Sequence, residues 1–164
     1  MAKIKYFGRG KLSNDELNAI LQMIPEDKPF QMMEIGTLCG RSAAWLCDRR
    51  PMLKLLSIDI FVSATWKDYA ANKRPNMALF WGTVREWRQY APDVMFDLIF
   101  IDGDHTYAGV KEDLDVCHHL QKGRLILHDF NDKKYPGLVR AVQEYAAKCE
   151  CGIYPVQQTL VEVI

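Results

Sequence analysis

The sequence has no apolar run approaching the roughly 20 residues needed to cross a bilayer, and it has no excess of charge of either sign. Its 21 Lys and Arg balance 21 Asp and Glu, so nothing predicts nucleic acid or an anionic membrane as a partner. The opening Met1-Ala-Lys-Ile-Lys-Tyr-Phe-Gly8 carries basic residues but no apolar core or cleavage site. It therefore predicts no secretory signal and a cytoplasmic location. Internal repeats, low-complexity tracts and linker-like shifts of composition are lacking too. The 164 residues read as one domain, long enough to bury a normal core, with residues 1–29 as an N-terminal helical extension. Cysteines are few and odd in number: Cys39, Cys47, Cys117, Cys149 and Cys151. They read as free thiols in a reducing compartment. Cys149-x-Cys151 is too isolated for a tetrahedral zinc site, which needs four ligands.

What is present is an alternation of apolar patterns. Ser13-Asn-Asp-Glu16 is a capping box, and Leu17, Ile20, Leu21 and Ile24 then mark one helix face. Strands are expected at Phe30–Ile35, Leu53–Ile60, Met77–Phe80, Phe96–Ile101 and Arg124–His128. Helices are expected at Arg41–Asp48, Ser63–Lys73, Thr83–Tyr90 and Tyr107–Leu120, with a last one opened by Pro136-Gly137. Gly152–Ile164 holds two apolar runs around Gln157-Gln158, an antiparallel hairpin. The fold class is α/β: a Rossmann-like, doubly wound, mostly parallel sheet with an antiparallel C-terminal hairpin strand. Ligands bind such sheets outside the carboxyl ends of the strands. The polar punctuation falls there, at Glu34/Gly36, Asp59, Gly82/Thr83, Asp102 and Asp129.

Glu34-Ile-Gly36-Thr-Leu-Cys-Gly40 is the most informative segment. A carboxylate and two glycines make a tight strand-to-helix turn that lets backbone approach a ligand closely. The spacing lacks a glycine of the Gly-x-Gly-x-x-Gly that cradles a dinucleotide pyrophosphate. An acid within the turn repels diphosphate and favours the ammonium or sulfonium of S-adenosylmethionine. Asp59 lies where a ribose-binding carboxylate is expected, which serves any adenosine ligand and does not choose between cofactors.

The segment Phe100-Ile-Asp102-Gly-Asp104-His105-Thr-Tyr107 joins Gly123-Arg-Leu-Ile-Leu-His128-Asp129-Phe and Pro136-Gly-Leu-Val-Arg140 in the order found in one family. Over roughly residues 30–164 the chain resembles the class I S-adenosylmethionine-dependent methyltransferases. More narrowly, it is similar to a small-molecule O-methyltransferase-like group with an Ile-Asp-Gly-x-His-x-Tyr fourth strand. The resemblance implies that Gly36, Thr37 and Gly40 line the methionine half of the cofactor, with Ser42 near its carboxylate. It implies Asp59 on the ribose, Ile60 on adenine, Gly82 and Thr83 at the adenine end, and Asp102 at the transfer site. Glu34 belongs to the same cofactor-binding set. The acceptor is expected to be a small molecule or glycosyl group, methylated at oxygen.

A hydroxyl acceptor needs a base or a Lewis acid. His105 is the candidate base, with capping of the next helix or a hydrogen bond within the turn as its structural alternatives. Asp102 and Asp129 could instead share a hard cation such as Mg²⁺. Metal-dependent relatives carry an acid or amide directly after the later aspartate, where this chain has Phe130. His128 reads as a core histidine in preference to a ligand, His118-His119 as surface, and most of Trp66, Trp81 and Trp87 as core. With only Met1–Pro29 ahead of the first strand, the acceptor site is either open or closed by a second subunit of a homo-oligomer. Phe61–Tyr69 and Asn131–Tyr135 are the candidate acceptor contacts. Three competing readings stand: an NAD-dependent or other nucleotide-binding Rossmann oxidoreductase, a non-catalytic adenosine-binding subunit, and a plain α/β scaffold with no ligand, which leaves the convergence of polar strand ends unexplained.

Overall fold

The computed structural model describes residue 6 and residues 12–60 and 66–164. Seven strands form one sheet: β1 (Phe30–Ile35), β2 (Leu53–Asp59), β3 (Met77–Trp81), β4 (Phe96–Ile101), β5 (Gln121–Leu127), β6 (Ile153–Gln157) and β7 (Leu160–Val163). Their order is β3-β2-β1-β4-β5-β7-β6. The first five are parallel, and β7 pairs antiparallel with both β5 and β6. The mostly parallel sheet with an antiparallel terminal hairpin is the architecture the sequence predicts. The chain winds to one side from β1 to β3 and returns to the other side at β4, so the crevice between the carboxyl ends of β1 and β4 is the switch point.

Helices α1 (Asn14–Met23), α2 (Arg41–Arg49), α3 (Trp66–Asn72), α4 (Val84–Tyr90), α5 (Tyr107–Cys117) and α6 (Pro136–Cys149) cover the two faces. Alternation along β1 divides the core. Met33 and Ile35 pack with Val110, Leu114, Leu138 and Val142 on the α4–α6 side. Met32 packs with Ile20, Ala43, Leu46 and Leu55 on the α1–α2 side. Local chemistry sets several helix starts. Ser13 and Glu16 cap α1 reciprocally, Thr83 and Glu86 do the same for α4, and α6 opens on Pro136. None of the described helices is long and apolar enough to cross a membrane.

Three expectations shift. The fifth strand, expected at Arg124–His128, begins at Gln121 and runs through Gly123. The register against β4 slips between Phe96 and Leu98, and a Cβ on Gly123 would lie 2.2 Å from the carbonyl oxygen of Asp97. Gly123 thus admits a bulge rather than ending a segment. Phe96 packs in the cluster on the α4–α6 side, and Leu98 and Phe100 pack in the other. The tryptophans divide: Trp87 is core, whereas Trp66 is 49% exposed and rests against Trp81 and Tyr69. The helix expected over Ser63–Lys73 is described from Trp66, and residues 61–65 of this helix and of the candidate acceptor loop lie outside the described residues.

Candidate active site

Gly36 leaves β1 with φ +88°, and a Cβ there would lie 2.2 Å from the backbone oxygen of Asp102. Only glycine lets the turn press against the end of β4 in this way. The turn is held by its own amides. Gly36 N–H donates to Ile58 O (2.8 Å) and Gly40 N–H donates to Thr37 O (2.7 Å). The amides of Thr37 and Leu38 both donate to Asp59 Oδ2, at 2.9 and 2.7 Å. Asp59, from the end of β2, therefore organises the turn as well as facing the crevice. Gly82 N–H in turn donates to Asp59 O (3.0 Å), tying the end of β3 to the same point.

Glu34 lies beneath this turn and has no exposed surface. Its carboxylate accepts from the hydroxyls of Thr37 (2.8 Å), Ser42 (2.6 Å) and Ser57 (3.0 Å). Burial pushes the carboxyl up to about 7, against the three hydroxyls that favour the charged form. Gly40 begins α2 in the left-handed region, φ +68°, packed on the Tyr69 ring. Neither Glu34 nor Gly40 reaches the cavity wall. Both shape the turn from behind.

At the other half of the crevice, Asp102 directly follows β4 and Asp129 follows β5 with φ +61°. His105 Nε2 lies 2.8 Å from Asp129 Oδ2 and 3.8 Å from Asp102 Oδ1, and its ring stacks on Tyr135 at 4.2 Å between centroids. The helix-capping alternative for His105 is not what the structure shows, because Thr106 caps α5. His128 is 4% exposed but is not an isolated core residue. Its Nδ1 lies 3.2 Å from Oδ1 of both Asp102 and Asp129, and its Nε2 lies 3.3 Å from Glu16 Oε1. Burial opposes the charged imidazole, yet Asp102, followed by Asp129 and Glu16, outweighs it and raises the pKa. Glu16 Oε1 also accepts from Thr159 Oγ1 at 2.8 Å, so α1 and the β6–β7 turn both meet the back of this cluster.

A cavity of about 800 Å³ opens along this edge, within the range of small-molecule and cofactor sites. Gly36, Thr37, Ser42, Asp59 and Ile60 line it, as do Gly82, Thr83, Asp102 and His105. The wall also includes residues that the sequence did not nominate. Leu12 and Leu17 close it from the α1 side, Arg41 faces it from α2, and Asp113 faces it from α5. Burial, followed by neighbouring Glu112 and Asp104, pushes the Asp113 carboxyl up to about 7. Glu16 is a further functional candidate missed, and His128, read as a core histidine in preference to a ligand, is another that the sequence ranked too low. The adjacency of His128 to Asp129 at a strand end was a usable signal; Glu16 showed only its capping role.

Comparison with known proteins agrees with this geometry. A family model described as a methyltransferase domain matches residues 33–130, the span that holds the turn, Asp59, Asp102, His105 and Asp129. An uncharacterized protein of Acanthamoeba polyphaga mimivirus is 24% identical over 143 residues, 79% of this chain; the chain spans 65% of that relative's length. Among solved structures, the O-methyltransferase from Bacillus cereus in complex with SAH is similar at a TM-score of 0.70 and 17% identity, covering 94% of this chain and 82% of that one. The TDP-rhamnose 3'-O-methyltransferase of calicheamicin biosynthesis is similar at 0.67 and 16%, covering 90% and 76%. At these identities the structural likeness carries the fold, and the family match carries the membership. A chain with this turn, this strand order and this matched span belongs to the methyltransferase-domain family.

Proposed function

We propose that this protein transfers a methyl group from S-adenosylmethionine to an oxygen of a small-molecule or glycosyl acceptor. The observation that carries the choice of cofactor is the pair of amide bonds from Thr37 and Leu38 to Asp59. A dinucleotide site would need those amides for a pyrophosphate. Here they are committed to a carboxylate, and the neighbouring amides of Gly36 and Gly40 are committed to carbonyls. The surface that remains suits an adenosine ligand without a diphosphate. The SAH bound to the Bacillus cereus neighbour and the TDP-rhamnose acceptor of the other neighbour are consistent with this reading.

In this reading Gly36, Thr37 and Ser42 hold the methionine half, with Arg41 as the cation facing its carboxylate. Asp59 takes the ribose hydroxyls, while Ile60, Gly82 and Thr83 border the adenine. Glu34 acts through the hydroxyls of Thr37 and Ser42, positioning them rather than touching the ligand. The bound sulfonium supplies a methyl already activated for displacement. The chain's own task is to align the acceptor oxygen and remove its proton, and alignment can supply on the order of 7–11 kcal/mol. His105 is the proposed base. Its Nε2–H directed at Asp129 would leave the lone pair on Nδ1 to take the proton. Asp102 sits beside it at the point of transfer.

The test has two steps. Calorimetry of the purified chain should show uptake of SAH and none of NAD⁺; the reverse result would overturn the assignment. Incubation with S-adenosylmethionine and a panel of catechols, hydroxylated aromatics and nucleoside-diphosphate sugars should then release SAH with at least one acceptor class. Binding without turnover across the panel would favour the non-catalytic subunit instead.

A further inference from the structure

Helix α5 presents two faces. Val110, Leu114 and Cys117 are buried in the core on the α4–α6 side. Gly109, Glu112 and Asp113, at i, i+3 and i+4, line the cavity instead. Arg85 in the first turn of α4 donates to Glu112, so this part of α5 is tied beside Thr83 and Val84, at the end of the cavity proposed for the nucleobase. Polar groups there are largely committed. Thr83 and Glu86 bond each other as the cap of α4, and the amide of Gly82 donates to Asp59 O. Asp104 accepts from the amide and the hydroxyl of Thr106, at 2.8 and 2.9 Å. Asp113 differs: among the described residues none donates a hydrogen bond to it and no cation pairs with it. Ile60 and Val84 supply apolar wall around it.

We propose that Asp113 reads the nucleobase: one carboxyl oxygen accepts from the exocyclic amine of adenine, and the other, as O–H, donates to the ring nitrogen beside that amine. The proposal deepens the methyl-transfer reading and rests on it for the identity of the cofactor. Adenine presents a donor next to an acceptor on either side of its amine. A neutral carboxylic acid offers the complementary acceptor and donor, whereas a carboxylate only accepts and would suit the paired donors of guanine. The surroundings of Asp113 favour the neutral form. Burial pushes its carboxyl up to about 7, and Glu112 on its own helix and Asp104 in the loop before it add to the effect. Arg85 of α4 does not offset them, because Glu112 engages it. The other polar side chains lining this end of the cavity already have partners, so Asp113 is the group left to distinguish one base from another.

Calorimetry of the full chain compares SAH with its deamino analogue, in which hydrogen replaces the amine of the base. Wild type should bind SAH at least about tenfold more tightly, because the analogue leaves a carboxyl oxygen unpaired in the closed site. Asp113→Leu should weaken SAH about tenfold or more and bind the two ligands within about threefold of each other. Asp113→Asn keeps one acceptor and one donor, and should retain both the affinity and the preference. A role in packing alone would shift both ligands equally. Should Asp113→Leu fail to fold, proton uptake decides. At pH 7, SAH binding should draw about half a proton onto the wild-type carboxyl, read from buffers of different ionisation enthalpy, and Asp113→Asn should abolish that uptake. A wild-type preference below about threefold, a preference that survives Asp113→Leu, or proton uptake unchanged in Asp113→Asn overturns the proposal. SAH uptake without these signatures sinks only the nucleobase assignment; no SAH uptake by wild type sinks the transfer reading together with it.

Discussion

Gly36 and Asp102 touch backbone to backbone: a Cβ on the glycine would sit 2.2 Å from the aspartate's carbonyl oxygen. This contact joins the turn after β1 to the end of β4, and so sets the width of the crevice. Gly36→Ala has no relaxed conformation, because φ is +88° as well. We expect a loss of stability greater than about 1 kcal/mol and SAH affinity reduced at least about tenfold. Thermal melts and calorimetry read both. Unchanged affinity would mean that the turn can move without consequence for the site.

Asp59 has two tasks, and its substitution should show both. Asn offers one acceptor oxygen in place of a charged pair, so it can hold the Thr37 and Leu38 amides or receive a ribose hydroxyl, but not do both well. A hydrogen bond to a charged group contributes about 1.5–3 kcal/mol. Asp59→Asn should therefore weaken SAH about 10- to 100-fold and lower the melting temperature of the ligand-free chain. A weakened ligand with an unaltered melting temperature would argue against the turn-organising role.

Glu34 predicts a pH dependence of stability. Its carboxyl is pushed from 4.5 in the unfolded chain to about 7 in the fold. The native state therefore holds a proton that the unfolded state releases. The stabilisation from this group is complete below 4.5 and is lost as pH rises towards 7. Glu34→Gln carries no such proton. The unfolding free energy of the variant relative to wild type should rise between pH 4.5 and 7, by at most about 1.4 kcal/mol per unit, and level off above. A difference that stays flat across that window would contradict the account.

His105 as base predicts a split between binding and turnover. His105→Gln keeps a polar group beside Asp129 and should leave SAH affinity within about threefold of wild type. Turnover with an identified acceptor should fall by about 10²–10⁴. A variant with normal turnover would reassign His105 to packing against Tyr135, on which its ring stacks.

Much of the architecture was legible because burial on both faces of a parallel sheet leaves local traces. Phe96–Ile101 reads as a strand from five apolar residues in six, and the capping box at Ser13/Glu16 forms as its spacing predicts. The start of β5 was not legible. Lys122-Gly123-Arg124 has no strand pattern of its own, and only the Asp97 backbone across the sheet gives Gly123 its place. In the site, the glycine turn and the acids at strand ends were legible as residue types at the crevice. Their division of labour was not. Glu34 looked like a ligand contact and lies behind the wall, held by three hydroxyls.

Periodicity and turn chemistry act within a few residues, so the order of strands and helices, the edge on which polar groups gather and the family likeness all follow from the chain as written. Which of those groups share a proton or a carboxylate depends on distances between segments remote in sequence. Glu16 of α1, His128 after β5 and Thr159 of the terminal hairpin meet only once the sheet has closed around them. Electrostatic and hydrogen-bond partners are chosen within a few ångströms, and no one-dimensional pattern records that approach.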